Sequence, residues 1–390
     1  MSLSFGEYRA VSVIDLDAAE RNFKLIQGRL KNKKNVICVL KADAYGHGAR
    51  ELSGLYSELS AYGFAVANID EGSELRLSGV TLPILVLGYT PPSMADALVD
   101  LGLTQCVFSE EYAIALDKRL GRRASRLKVH VKVDTGMGRL GFLSDEGGIV
   151  AILRCIGNTN LCYEGIFTHF SSADRGNSGR EYTEWQAKRF SSVITQLGKE
   201  RFGIIHASNS AAILDYPDLL PEENAVRAGI ALYGYNPSGE VIRRLPLTPV
   251  MELKCTVAHV KWVAAGSRIS YGGDFVAREG MRIATLPVGY ADGIPRADGI
   301  IVLVNDRLCV SVGRICMDQM MIDVTDTDVS AGDEITIFGK PPALTAESFA
   351  DSVGGIAYTL LTGISRRVER IYIRDGREVH RRGYLDLCRE

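Results

Sequence analysis

The sequence predicts an α/β chain with an N-terminal (β/α)8 TIM-like barrel followed by a C-terminal, mainly β domain. Three observations carry that prediction. Up to about residue 235, short apolar runs alternate with longer amphipathic stretches, which implies parallel strands joined by right-handed crossovers. The runs number eight, enough to close a barrel, and the first is followed by none of the glycine-rich fingerprint that an open doubly wound sheet usually carries. From about 245 the texture changes to Val-, Ile- and Thr-rich segments separated by short turns, with helical periodicity nearly absent. Pro246 and Pro249 punctuate the junction, so domains at 1–245 and 246–390 are expected.

Taken in order, the first amphipathic stretch puts Leu16, Ala19, Phe23, Ile26 and Leu30 on one helical face, with Asp15 as its N-cap. Strands are then expected at 36–40 (VICVL), 63–67 (GFAVA), 83–87 (PILVL) and 105–108 (QCVF). Four more follow at 127–133 (LKVHVKV), 161–167 (LCYEGIF), 203–206 (GIIH) and 224–226 (NAV). Helix-like segments such as 48–60, 94–102, 110–120 and 180–198 lie between them. In the second domain, strands are expected within 250–263, 281–288, 300–304, 307–312, 320–324, 333–338 and 369–374.

At 390 residues the chain has room for two domains, and 46% hydrophobic with 24% charged residues excludes wholesale disorder. Lys plus Arg number 45 against 47 Asp plus Glu; a net charge of -2 leaves no basic footprint for nucleic acid or anionic membranes. No apolar run approaches the length of a membrane span, and the opening MSLSFGEYRA lacks the apolar core of a secretory signal. Eight scattered cysteines without a C-x-x-C pair read as reduced thiols of a cytoplasmic protein, neither a disulfide frame nor a metal site. A soluble cytoplasmic enzyme remains.

The chemistry concentrates in polar, Gly-rich clusters that follow strands. In VLKADAYGHG, Lys41 ends an apolar run, where a barrel strand points into the active-site mouth. Desolvation there would lower its pKa and suit it to act as a Schiff-base nucleophile; a lysine snorkelling from a strand end is the bland alternative. In VKVDTGMGRLG, Arg139 either binds an anionic ligand oxygen or pairs with Asp134. GIFTHF places His169 at a strand end, where a lone histidine is more often a satisfied structural residue than a catalyst. HASNSAA offers Ser210, and VRAGIALYG offers Arg227 with the amides of Gly229 and Ile230. These last two clusters follow strands seven and eight, where such barrels often hold a phosphate. Phosphate, a strand-end lysine and strand-end cations together point to pyridoxal 5'-phosphate.

VLKADAYGHG, VKVDTGMGRLG, GIFTHF, RISYGGDF, LPVGYADGIPR and VGRICMDQMMIDV, with a tail near Tyr358, resemble the ordered motif series of bacterial alanine racemases. The resemblance implies a pyridoxal-phosphate enzyme with a (β/α)8 barrel and a C-terminal β domain. It implies a homodimer whose active sites are shared between subunits, and D-alanine made for peptidoglycan. Carried onto this sequence, it implies Lys41 as cofactor-holding base and Tyr271 as the opposing acid/base from the other subunit. It implies Tyr45, Ser210, Gly229, Ile230 and Tyr358 around the phosphate, and Arg227 facing the pyridine nitrogen. Arg139 would contact the ring hydroxyl and the substrate carboxylate, with the backbone at Met317 meeting the same carboxylate. His169 would hydrogen-bond toward Tyr271, and Lys132 matches a position carbamylated in many members. Asp174, Tyr290, Arg296 and Arg314 would line the entrance.

Racemisation removes a proton from one face of Cα and delivers one to the other, so an amine and a phenol on opposite faces suffice. A serine or broad-specificity racemase is the alternative within the family. TLLTG after Tyr358 departs from the family's more usual continuation there, whereas Tyr358 itself argues for alanine. A decarboxylase on the same architecture is disfavoured because Cys316 sits in RICMDQ, and a non-enzymatic PLP carrier because such proteins lack the β domain.

Overall fold

The computed structural model describes residues 8–30, 34–121, 125–157, 160–341 and 344–383. The described residues fall into two units. One takes those within Glu20–Ala44 and Ala49–Leu247; the other takes those within Met1–Ala19, Tyr45–Gly48 and Thr248–Glu390.

The first unit is a closed barrel of eight parallel strands. Asn35–Val39, Gly63–Val66, Ile84–Val86, Thr104–Val107, Leu127–Asp134, Leu161–Phe167, Ile204–His206 and Ala225–Ala228 pair each with the next. The ring closes where Arg227 lies opposite Ile37. All eight expected strands are present, because strands covered on both faces read as continuous apolar runs. Helices Ala49–Glu58, Ile69–Leu77, Ala95–Asp100, Glu110–Leu120, Glu146–Ile156 and Arg180–Leu197 separate most of them. Side chains cap the starts of three: Asn68 accepts the Glu71 amide, Ser109 that of Tyr112 and Asp145 that of Gly148. The first helix, Leu16–Arg29, starts as expected, its Asp15 carboxylate accepting the Ala18 amide at 2.9 Å, with Ala19, Phe23 and Ile26 buried.

The second unit is built on a seven-stranded sheet. Its order is Arg307–Val310, Ile301–Val304, Glu334–Phe338, Met251–Thr256, Ala10–Asp15, Glu369–Arg374, Arg377–Arg382. A three-stranded sheet of His259–Val263, Met281–Leu286 and Met320–Asp323 accompanies it. The expected run 250–263 therefore breaks after Thr256, its halves entering different sheets. Helices Ala346–Ser352, capped by Thr345, and Ala357–Gly363 correct the expectation of a nearly helix-free domain.

Two segments depart from the expected division into 1–245 and 246–390. Ala10–Asp15 lies mid-sheet, Val13 opposite Glu252 on one side and Ile371 on the other, with all six residues buried. A strand so apolar needs partners on both edges and cover on both faces, and this sheet supplies them. Tyr45–Gly48 also joins this unit, since the buried Arg370 guanidinium donates twice to the Gly46 carbonyl and Tyr372 donates to that of His47. Seven described cysteines are free thiols, and Cys388 lies outside the described residues. Among the described residues no helix is long and apolar enough to cross a membrane.

Candidate active site

Five barrel strands deliver the expected residues to one rim, at their carboxyl ends. Lys41 follows Asn35–Val39, Lys132 and Arg139 belong to and follow Leu127–Asp134, and His169 follows Leu161–Phe167. Ser210 opens the helix after Ile204–His206, and Arg227 sits in the last strand with Gly229 and Ile230 beyond it.

Beyond Lys41 the backbone runs left-handed. Ala42, Asp43, Ala44 and Tyr45 have φ between 51° and 54°, a conformation non-glycine residues avoid by about 1–2 kcal/mol each. Local bonds hold it there. Glu71 accepts the Ala42 amide at 2.7 Å and the Ala67 amide at 2.6 Å, while Asp43 accepts the Ala49 amide at 2.8 Å. Burial and then the Arg139 charge lower the Lys41 amine pKa, against an opposing pull from Glu71.

Arg227 is buried and anchors the rim. Its guanidinium donates to His206 Nδ1 (2.6 Å), to His169 Nδ1 (3.1 Å) and to the carbonyls of Thr168 and Ala207 (2.8 Å each). Burial draws its pKa down to about 10, still cationic at neutral pH. His169 is driven well below the ordinary imidazole range by burial and by the surrounding charges of Arg227, Arg139, Lys132 and Lys41. Four cations thus converge on one neutral histidine. Lys132, donating to the Val133 carbonyl at 2.8 Å, is lowered by burial to about 8.

Asp134 does not serve as the partner of Arg139. Its carboxylate accepts the amides of Gly136, Met137 and Gly138, shaping the turn that carries the arginine. Gly136 takes φ 136° there, a backbone conformation that side-chain-bearing residues rarely adopt. Ser210 Oγ accepts the Gly229 amide at 2.9 Å, bringing a hydroxyl and a backbone donor to one spot. Asp174 is half-buried, its carbonyl accepting from Ser238.

The second unit gathers its own group. Tyr271 stands on a tight turn between the paired strands Arg268–Ile269 and Phe275–Val276, 70% exposed. With Met317 (52% exposed), Arg268 and Cys316 it lines an open cavity of about 630 Å³. The Tyr290 turn is stitched to the Met317 turn, since the Tyr290 amide donates to Cys316 and that of Ala291 to Met317. Arg314 pairs with Asp274 at 2.6 Å, Tyr45 and Tyr358 pack with ring centroids 6.1 Å apart, and Arg296 is exposed.

Sequence reasoning passed over the residues that hold these in place. His206 and His130 are buried in the barrel, and the i,i+2 alternation in LKVHVKV already put His130 on the same face as Lys132. Asp292, beneath the Tyr290 turn, accepts the Gly289 amide and is clamped by Arg9 and Arg367; only a Gly-rich turn hinted at it.

The family model for the alanine racemase N-terminal domain matches residues 14–237, and that for the C-terminal domain matches 250–372. The alanine racemase of Clostridium novyi is 43% identical over 381 residues, covering 95% of this chain and 97% of its own. The solved alanine racemase of Clostridium difficile 630 superposes with a TM-score of 0.92 at 40% identity, covering 97% and 99% of the two chains. That of Bacillus anthracis with bound L-Ala-P gives 0.91 at 34% identity, with the same coverage. These relatives favour neither the decarboxylase nor the carrier alternative.

Proposed function

The chain belongs to the alanine racemase family, and we propose that it interconverts L- and D-alanine with Lys41 and the partner subunit's Tyr271 as its two proton-transfer groups. Its activity is that class of isomerase; the assignment of individual residues is our reading. The observation that carries it is the convergence of Lys41, Lys132, Arg139 and Arg227 on a neutral His169 at the barrel rim. Four cations at one rim, two of them buried, suit a ligand rich in negative charge.

The donor set fits pyridoxal 5'-phosphate, which supplies an electron sink that makes the substrate Cα–H acidic. Lys41 is the amine that would hold it. Ser210, Gly229 and Ile230, with Tyr45 and Tyr358, would hold the phosphate, and Arg227 would face the pyridine nitrogen. An arginine does not readily give up a proton, so Arg227 would leave that nitrogen unprotonated and temper the electron sink the group supplies. The lowered pKa of Lys41 favours the free amine, ready to take a proton at Cα on one face. Tyr271, exposed on its turn, is free to reach a neighbouring chain and hand a proton to the other face. His169 would bond toward it.

Arg139 and the Met317 backbone would hold the substrate carboxylate, while Asp174, Tyr290, Arg296 and Arg314 line the way in. A Lys132 amine drawn down to about 8 is readily unprotonated, as carbamylation requires, and the carbamate would steady Arg139. In this reading the protein is a cytoplasmic homodimer making D-alanine for peptidoglycan.

The test is direct. The purified protein, supplied with pyridoxal phosphate, is expected to form D-alanine from L-alanine faster than D-serine from L-serine. Absence of D-alanine with cofactor bound overturns the reading; faster turnover of serine moves the substrate.

A further inference from the structure

Ser270, immediately before Tyr271, has φ 66° and ψ -173°, a region populated almost only by glycine. Such a conformation persists in a serine only where the surroundings over-determine it. The segment 313–316 does so here. The Ser270 hydroxyl donates to the carbonyl of Arg314 at 2.6 Å and lies 3.6 Å from Cys316 Sγ. In the same segment, Gly313 (φ 71°) passes so close that a Cβ on it would sit 2.7 Å from the Ser270 Cβ and 2.8 Å from the Ile269 carbonyl oxygen. The Arg314–Asp274 ion pair, at 2.6 Å, ties the far end of the same turn to the same segment. Beyond the serine, Gly272 and Gly273 also adopt positive φ, the turn around the exposed Tyr271 being closed by the Gly273 amide on the Ser270 carbonyl at 3.2 Å.

We propose that Ser270 is a positioning residue: its bond to the Arg314 carbonyl holds a backbone conformation that serine ordinarily avoids, and thereby fixes where the Tyr271 phenol points. A residue selected for stability alone would be glycine. Glycine adopts this φ and ψ without strain, but it has no hydroxyl to fasten the turn and adds a third flexible link beside Gly272 and Gly273. The proposal rests on the reading of Tyr271 as a proton-transfer group, and its test separates the two.

Three variants of the full chain with bound cofactor are compared: S270G, S270A and Y271F. S270G loses strain and tether together and is expected to melt at or above the wild-type temperature. S270A keeps the strained Cβ without the tether and is expected to melt below it. Both are expected to lose about 10- to 100-fold in kcat, the scale of a reacting group misplaced by about 1 Å. Both are also expected to shift the ratio of α-deuterium exchange between L- and D-alanine in the same sense as Y271F. A serine that merely supports the fold would lower melting temperature and both exchange rates together, leaving that ratio unchanged. An S270G that melts below wild type, or keeps the wild-type ratio while Y271F shifts it, overturns the proposal alone. A Y271F that leaves the ratio unchanged overturns the assignment of Tyr271, and the proposal with it.

Discussion

Arg227 donates to His206 across 2.6 Å, and because a guanidinium offers only hydrogens, that contact fixes the protons along a buried row. His206 accepts at Nδ1 and so carries its hydrogen on Nε2, which donates to His130 Nδ1 at 2.9 Å. His130 then carries its hydrogen on Nε2, which points at Glu164, 3.9 Å away.

Acid should therefore unfold the protein early. Burial and Arg227 hold His206 well below the ordinary range and His130 at about 3, against 6.5 for a free imidazole. The unfolded chain binds protons that the folded one refuses. Stability present above pH 6.5 is thus lost as pH falls toward 3, by up to about 1.4 kcal/mol per pH unit for each histidine. His130→Gln is expected to melt lower at neutral pH but to flatten the fall in melting temperature between about pH 7 and pH 5. An unchanged slope would refute the row's role.

Supplied with pyridoxal phosphate, the protein is expected to turn yellow, and borohydride to fix the label to the peptide bearing Lys41, where the left-handed turn presents a half-buried amine of lowered pKa. Peptide mapping that finds the label on Lys132 or elsewhere removes Lys41 from its assigned place.

Subunit mixing tests the shared site. Lys41→Ala and Tyr271→Phe chains, each inactive alone, are expected to regain activity when exchanged into a heterodimer, in which one of two equivalent sites receives both intact groups. Verified exchange without recovery assigns both residues to one chain.

The two bases should also separate by enantiomer. In Tyr271→Phe, α-proton abstraction from L-alanine is expected to fall by ~10²–10⁴-fold, while solvent deuterium exchange into D-alanine, served by Lys41, survives much better. Equal losses with cofactor still bound contradict one base per face.

Legibility in the sequence followed locality. VICVL could be read as a barrel strand because burial on both faces leaves a continuous apolar run, and LKVHVKV because Leu127, Val129, Val131 and Val133 alternate as one buried face. VSVI at 11–14 carries the same signature but not the name of its sheet, because its partners lie at 251–256 and 369–374. The left-handed turn was hidden for a different reason: nothing in ADAY disfavours a right-handed helix, and the reversal is imposed by the distant Glu71 carboxylate and by bonds that form only in the fold. Lys41, Arg139 and Arg227 stood out as cations at strand ends, whereas His130 and His206, inside the barrel, looked like ordinary core residues.

The strand Ala10–Asp15 precedes every barrel strand in the chain, yet its two neighbours, Met251–Thr256 and Glu369–Arg374, follow the last of them. Barrel strands find their partners mostly in the next stretch of chain and can pair as they emerge, whereas Ala10–Asp15 waits with both edges open until residue 256 is made and with one open until residue 374. Closure of that sheet is the long-range, slow event. A nascent chain stalled short of residue 374 therefore carries a barrel able to close beside an unpaired apolar edge, the kind of surface that chaperones bind and that aggregates when they do not.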